Sequence, residues 1–199
     1  MGQEIEVKLA VRDLQLLDCI LCDELIRARM LEDYRYLQMQ TVYYDTEDEF
    51  FASRRWMLRL RRENDKSLVT LKTPGDGLAR GEWEAESEYL DEALPMLLGA
   101  GAPEELKAVD PQTLLPCCGA KFMRIAAMLR MDDESRCELC ADMGELTGGG
   151  KSAPLCELEL ELKQGAFDAT LAFSELLREK YALSAQKQGK FVRARALKI

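Results

Sequence analysis

Hydrophobic and polar residues alternate one for one through much of this chain, the period of extended strands with two unlike faces. Residues 2–10 begin the pattern with Glu4-Ile5-Glu6-Val7-Lys8. Residues 55–63 set Arg55, Met57, Arg59 and Arg61 against Trp56, Leu58 and Leu60. Residues 79–89 place Arg80, Glu82, Glu84, Glu86 and Glu88 on one parity. In 154–164, Glu157, Glu159 and Glu161 oppose Cys156, Leu158, Leu160 and Leu162. Aromatic and Thr content predicts a further strand over 34–44, and strands are also expected over 66–73, 119–131 and 135–143.

Helical spacing replaces alternation in three places. Leu14, Leu17, Leu21 and Leu25 predict a helix over 14–30, capped by Asp13. A second helix is predicted over 167–181, and two helical pieces punctuated by Pro fill 91–118. Pro74-Gly75-Asp76-Gly77 reads as a turn and Gly148 to Gly150 as a hairpin loop; the latter lacks the context of a phosphate-binding P-loop. The chain closes on a basic segment, 186–198. No repeat or Ser/Pro-rich linker divides it, so one domain over 1–199 is expected.

The polar faces repeat like-charge sets, which destabilise a sheet unless something uses them. A closed antiparallel barrel resolves this, with charged faces lining a ligand-filled interior and apolar faces turned outward under helices. Trp83 and the Met123, Met128 and Met131 set then read as packing. Trp56 has the opposite parity to Arg59 and Arg61 and is expected to point away from the interior.

Composition narrows the chemistry. The net charge of −9 argues against a nucleic-acid surface, and the absence of His removes the usual near-neutral proton shuttle. No apolar run reaches a membrane span and no signal peptide is apparent, so a cytoplasmic protein without membrane contact is expected. The seven Cys, an odd number, suit reduced thiols. Cys137 and Cys140 lack a second CxxC or any His, so buried thiols are the better reading than zinc.

Hard cations such as Mg²⁺ or Mn²⁺ take carboxylate, water and phosphate oxygens. Glu4 and Glu6 on one strand, with Glu157, Glu159 and Glu161 on another, would supply such ligands. Arg59 and Arg61, Lys72, Arg80, Arg124 with Arg130, and Arg136 recur at matching parity on successive strands. Guanidinium groups in such sets suit phosphate oxygens.

These sets together resemble the CYTH superfamily, the triphosphate tunnel metalloenzymes. The resemblance is carried by the ExExK of Glu4, Glu6 and Lys8, by Tyr43-Tyr44-Asp45-Thr46, by Leu58-Arg59-Leu60-Arg61 and by Thr70-Leu71-Lys72. It continues through Arg80-Gly81-Glu82-Trp83-Glu84, Phe122-Met123-Arg124, Arg136 to Glu145, Cys156 to Lys163, and Lys190-Phe191-Val192-Arg193. It implies an α+β fold: an eight-stranded antiparallel β-barrel tunnel with helices outside, binding a triphosphate with Mg²⁺ or Mn²⁺. The glutamate-rich strand and RGEWE are most similar to bacterial inorganic triphosphatases. One departure is Gly189-Lys190, where the family has Ser-Lys, which makes Lys187 a rival for the C-terminal basic role.

The expected activity is hydrolysis of a triphosphate, foremost inorganic triphosphate to diphosphate and phosphate. Lys8, Arg59, Arg61, Lys72, Arg80, Arg124, Arg136 and Lys190 are the expected phosphate ligands. Glu4, Glu6, Glu157, Glu159 and Glu161 are the expected metal ligands. Glu4, Glu6 and Lys8, with Glu82, Glu84, Glu138 and Asp142, are the candidates for catalysis, the last four for orienting water or balancing charge. The alternatives are ATP cyclisation, thiamine triphosphate hydrolysis, or binding of polyphosphate or nucleotide without turnover. A monomer or a homodimer fits equally.

Overall fold

The computed structural model describes residues 5–74 and 81–198. Glu4, Arg80 and most of the turn expected at Pro74 to Gly77 lie outside them. The elements are β1 (Glu6–Ala10), α1 (Leu14–Leu21), α2 (Glu24–Arg27), β2 (Arg35–Asp45), α3 (Phe50–Ser53), β3 (Met57–Glu63), β4 (Lys66–Thr73) and β5 (Gly81–Glu86). They continue with α4 (Leu90–Gly99), two short 3₁₀ turns, β6 (Leu115–Arg130), β7 (Arg136–Gly148), β8 (Lys151–Gln164), α5 (Phe167–Tyr181), β9 (Ser184–Ala185) and α6 (Lys190–Ala196). No helix among the described residues is long and apolar enough to cross a membrane.

The strands form one antiparallel sheet in the order β5-β4-β3-β2-β6-β7-β8-β1-β9. Side chains from β1 through β8 line a single cavity, so the sheet wraps around it. Its hydrogen-bond ladder runs between two edges, β5 and β9, and is not a closed ring. The ninth strand is a two-residue addition on β1 that the sequence did not announce.

Alternation sorts the faces as expected. The outer faces of β6, β7, β8 and β1 bury Ala127, Leu129, Cys137, Leu139, Leu158, Leu160 and Leu9 against Leu17, Ile20 and Ile26 of α1 and α2 and Phe173 and Leu177 of α5. The outer faces of β3 to β5 bury Leu58, Val69, Leu71 and Ala85 against Phe51 of α3 and Leu94 and Leu97 of α4. Cys137 and Cys140 fall on opposite faces of β7 and cannot chelate one ion together. All seven cysteines are free thiols.

Three elements differ from the sequence reading. The helix expected over 14–30 is two, because Asp23 accepts from the Leu25 N–H and starts α2 with a fresh cap. Strand β6 starts at Leu115, within the stretch read as helical. The basic tail folds into α6, which packs on the inner face of the sheet: Phe191, Ala194 and Leu197 meet Tyr43, Cys118, Phe122, Leu146 and Leu155. The Phe191 and Tyr43 rings lie 4.9 Å apart.

Three glycines serve the β6–β8 region. Gly149 (φ 58°) and Gly150 (φ 76°) supply the left-handed backbone of the tight turn joining β7 to β8. At Gly144, an added Cβ would sit 2.2 Å from the Lys121 carbonyl oxygen of β6.

Candidate active site

The cavity has a volume of about 870 Å³. One wall is basic. Arg59 and Arg61 project from alternate positions of β3, and Lys72 projects from β4. Lys72 pairs with Glu82 of β5 at 3.1 Å, and Arg59 lies 3.9 Å from the same carboxylate. Arg61 pairs with Glu63 at 2.8 Å, yet its buried Nε and that of Arg59 have no hydrogen-bond partner among the described residues. Burial and the neighbouring Arg59 charge hold Arg61 below the usual guanidinium range. Buried donors without acceptors cost free energy that an anion with several oxygens would recover.

The opposite wall is acidic, and strand register builds it. Glu6 of β1 stands beside Glu161 of β8, which stands beside Glu138 of β7. Cations separate these like charges. Glu6 accepts from Lys8, Lys163 bridges Glu161 (2.7 Å) and Glu138 (3.2 Å), and Arg35 of β2 reaches Glu138 at 2.5 Å. Burial would raise the Glu138 carboxyl, but Lys163 and Arg35 outweigh it and hold it low.

Deeper in, Asp142, Glu157 and Glu159 bring carboxylate oxygens within 4.8 Å of one another. The side chains of Asp142 and Glu157 are fully buried. Arg124 donates to both Asp142 oxygens at 2.7 Å and to Glu159 at 2.8 Å. Lys190 of α6 sits 2.7 Å from Asp142, 2.5 Å from Glu157 and 2.9 Å from Glu159, and Arg193 donates to Glu157. Burial would raise the Glu159 carboxyl, but Lys190, then Arg124 and Lys8, lower it to about 2. Burial dominates at Glu157 and pushes that carboxyl up. Burial would lower Lys190, but Asp142, Glu159 and Glu157 raise it.

The structure thus brings Glu6, Lys8, Arg59, Arg61, Lys72, Glu82, Glu84, Arg124, Glu138, Glu159, Glu161 and Lys190 to one cavity, with Asp142 and Glu157 just behind it. Arg136 is not among its lining; it is exposed at the start of β7, where a register shift separates it from Cys137. Lys187 is exposed along the cavity lining, whereas Lys190 is half-buried and paired with carboxylates. Trp56 packs against the outer cluster beside Phe50, as expected, and also borders the cavity, which was not. Strand β3 begins one residue later, after Arg55 at φ 56°, so strand parity does not govern Trp56. Sequence reasoning passed over Arg35, Glu63, Lys163 and Arg193 as site residues; the odd parity of Arg35 with Tyr43 on β2 and of Glu63 with Arg61 on β3 was available to find the first two.

Comparison with known proteins followed the same lines. The CYTH domain family model matches residues 2–194. An inorganic triphosphatase from Haemophilus influenzae is 29% identical over 192 residues, covering 94% of this chain and 53% of that protein. The chain therefore spans about half the length of that relative. Among solved structures, a putative adenylyl cyclase from Hippeastrum, described as having a dominant triphosphatase activity, has a TM-score of 0.61 at 18% identity, covering 98% of this chain and 97% of that one. A putative adenylate cyclase from Bacillus halodurans has a TM-score of 0.58 at 19% identity, covering 96% and 98%. At these identities the structural likeness establishes the fold.

Proposed function

The chain belongs to the CYTH domain family, and from that premise we propose that it hydrolyses a triphosphate, foremost inorganic triphosphate to diphosphate and phosphate, with Mg²⁺ or Mn²⁺. One observation carries the reading: a basic wall, with two arginine Nε atoms unpartnered among the described residues, faces an acidic wall across one cavity. A chain of phosphates joined to a divalent ion is complementary to both.

Arg59, Arg61, Lys72, Lys8 and Arg124 would hold the phosphate oxygens and align the terminal phosphorus. The carboxylates fit an oxygen-seeking ion. Asp142, Glu157 and Glu159 each offer a carboxylate oxygen, the donor such ions take, and these oxygens lie within 4.8 Å of one another. These three, with Glu6 and Glu161, are the residues that would hold metal. When bound, such an ion neutralises phosphate charge and acidifies water.

Water adds to the terminal phosphorus as the bridging P–O bond breaks and diphosphate leaves. Of Glu82, Glu84, Glu138 and Asp142, only Glu84 has no ion pair among the described residues; it accepts a hydrogen bond from Thr70 at 3.1 Å. We assign it the water proton. The seven free thiols suit a reducing compartment, and we place the chain in the cytosol.

A second reading rests on Trp56. It gives the cavity an aromatic border beside the arginines, suited to a triphosphate carrying an organic ring. The purified chain is to be incubated with inorganic triphosphate, thiamine triphosphate and ATP, each with Mg²⁺, Mn²⁺ or chelator. Chelator-sensitive phosphate release, fastest from inorganic triphosphate, supports the hydrolase. Preference for thiamine triphosphate supports the Trp56 reading. Cyclic AMP from ATP, with the ribose 3′-hydroxyl replacing water, or binding without turnover, would sink both.

A further inference from the structure

The ammonium of Lys190 stands among three carboxylates, 2.5 to 2.9 Å from an oxygen of each. That is the coordination expected of a cation, supplied by the protein's own side chain. The local charges already balance: Lys190, Arg124 and Arg193 against Asp142, Glu157 and Glu159. A divalent ion entering this group would meet three cations at close range. Arg124 is held by a two-pronged bond to Asp142, and Arg193 is flanked in α6 by the fully buried Ala194. Lys190 is different. It is the first residue of α6, follows Gly189, and lines the cavity itself. Its Nζ also lies 5.2 Å from the Phe122 ring centre, and Phe122 borders the same space. A flexible four-carbon stem can move the charge from the carboxylates into the cavity without unfolding the helix.

We infer that Lys190 is an internal placeholder cation: it occupies the Asp142–Glu157–Glu159 group when metal is absent, and a divalent ion entering there displaces its ammonium into the cavity, toward the phosphate chain. The placeholder adds a second counter-charge to two fully buried carboxylates, Asp142 beside Arg124 and Glu157 beside Arg193, and supplies the third positive charge that balances the group. It also makes metal entry release a phosphate-binding cation, so that each of the two charged ligands promotes the other. The inference rests on the metal reading proposed above, and extends it to a residue to which that reading gives no part.

The test is direct Mn²⁺ binding, followed by electron paramagnetic resonance without substrate, in the intact chain and in Lys190→Met. The Met variant keeps the stem's bulk and removes the charge. Mn²⁺ affinity is expected to rise at least tenfold, and Glu157→Gln in the Met background to reverse the gain. Equal or weaker binding in Lys190→Met, with Mn²⁺ still bound by the intact chain, overturns the placeholder and leaves the metal reading standing. No Mn²⁺ uptake by either protein overturns both. Amine acetylation of the unaltered chain, read by mass spectrometry, covers a variant that fails to fold. Mg²⁺ is expected to raise the labelling rate of Lys190 several-fold relative to Lys107, which is exposed and remote from the cavity. An unchanged ratio overturns the displacement.

Discussion

Replacing Glu159 by Gln keeps the shape of the side chain and removes one charge from the densest part of the site. Glu159 receives Arg124 at 2.8 Å and Lys190 at 2.9 Å, with Lys8 at 3.8 Å. These cations lower its carboxyl from 4.5 to about 2 against the opposing effect of burial. At about 1.4 kcal/mol per pH unit, the ionised form stabilises the fold by about 3 kcal/mol. Leaving a buried partner uncompensated costs about 3–5 kcal/mol by the same logic. The sign follows from the depressed value. The contribution is complete above about 4.5, the unfolded-state range, and disappears as pH falls through about 2. At pH 3 about 1.4 kcal/mol remains. Gln mimics the protonated acid, so the difference between the two proteins isolates this one group. Urea unfolding of both at pH 7 and pH 3 measures it, at low ionic strength and without metal. The expected cost of Glu159→Gln is about 3 kcal/mol at pH 7 and less than half that at pH 3. A cost below about 1 kcal/mol at pH 7, or one that does not change with pH, would refute the assignment of that stability to the Lys190–Arg124–Glu159 network.

Arg61→Gln should weaken inorganic triphosphate binding by about 1.5–3 kcal/mol in calorimetry, while the melting temperature holds or rises, because Arg61 is crowded by Arg59 and its Nε lacks an acceptor among the described residues. Glu84→Gln should lower kcat by about 10²–10⁴-fold with little change in KM, measured by phosphate release; near-normal turnover would remove it as proton acceptor. Gly144→Ala should destabilise by about 3 kcal/mol in urea unfolding, since its Cβ would meet the Lys121 carbonyl oxygen at 2.2 Å and Phe122 Cα at 2.6 Å. Cys117, whose thiol is lowered to about 7 by its contact with the Cys118 sulfur, should be alkylated by iodoacetamide near pH 7 well ahead of the buried Cys137 and Cys140, as read by peptide mass spectrometry.

Much of this architecture is written locally. A period of two puts Glu157, Glu159 and Glu161 on one side of β8 and Leu158 and Leu160 on the other, whatever strand lies beside them. The core positions Leu58, Leu71, Leu139 and Leu160 follow from the same rule, as do the inward positions of Arg59, Arg61, Lys72 and Arg124. Asp13 marks the start of α1, and Gly149-Gly150 the turn between β7 and β8, because caps and left-handed turns are demands of a few consecutive residues. Trp56 shows where that rule ends: its direction depended on where β3 begins, which parity does not report.

Which charges meet was decided only by the tertiary structure. Register across β1, β8 and β7 sets Glu6 beside Glu161 and Glu161 beside Glu138, while a shift at Arg136 removes that residue from the row. Lys190 was visible as a basic residue, but nothing nearby in sequence says that its helix folds inward to place an ammonium among Asp142, Glu157 and Glu159. Local chemistry determined which face each side chain takes, since that is a property of one strand. Long-range packing determined its counter-ion, since Lys190 and Asp142 are brought together by α6 docking on the inner face of the sheet.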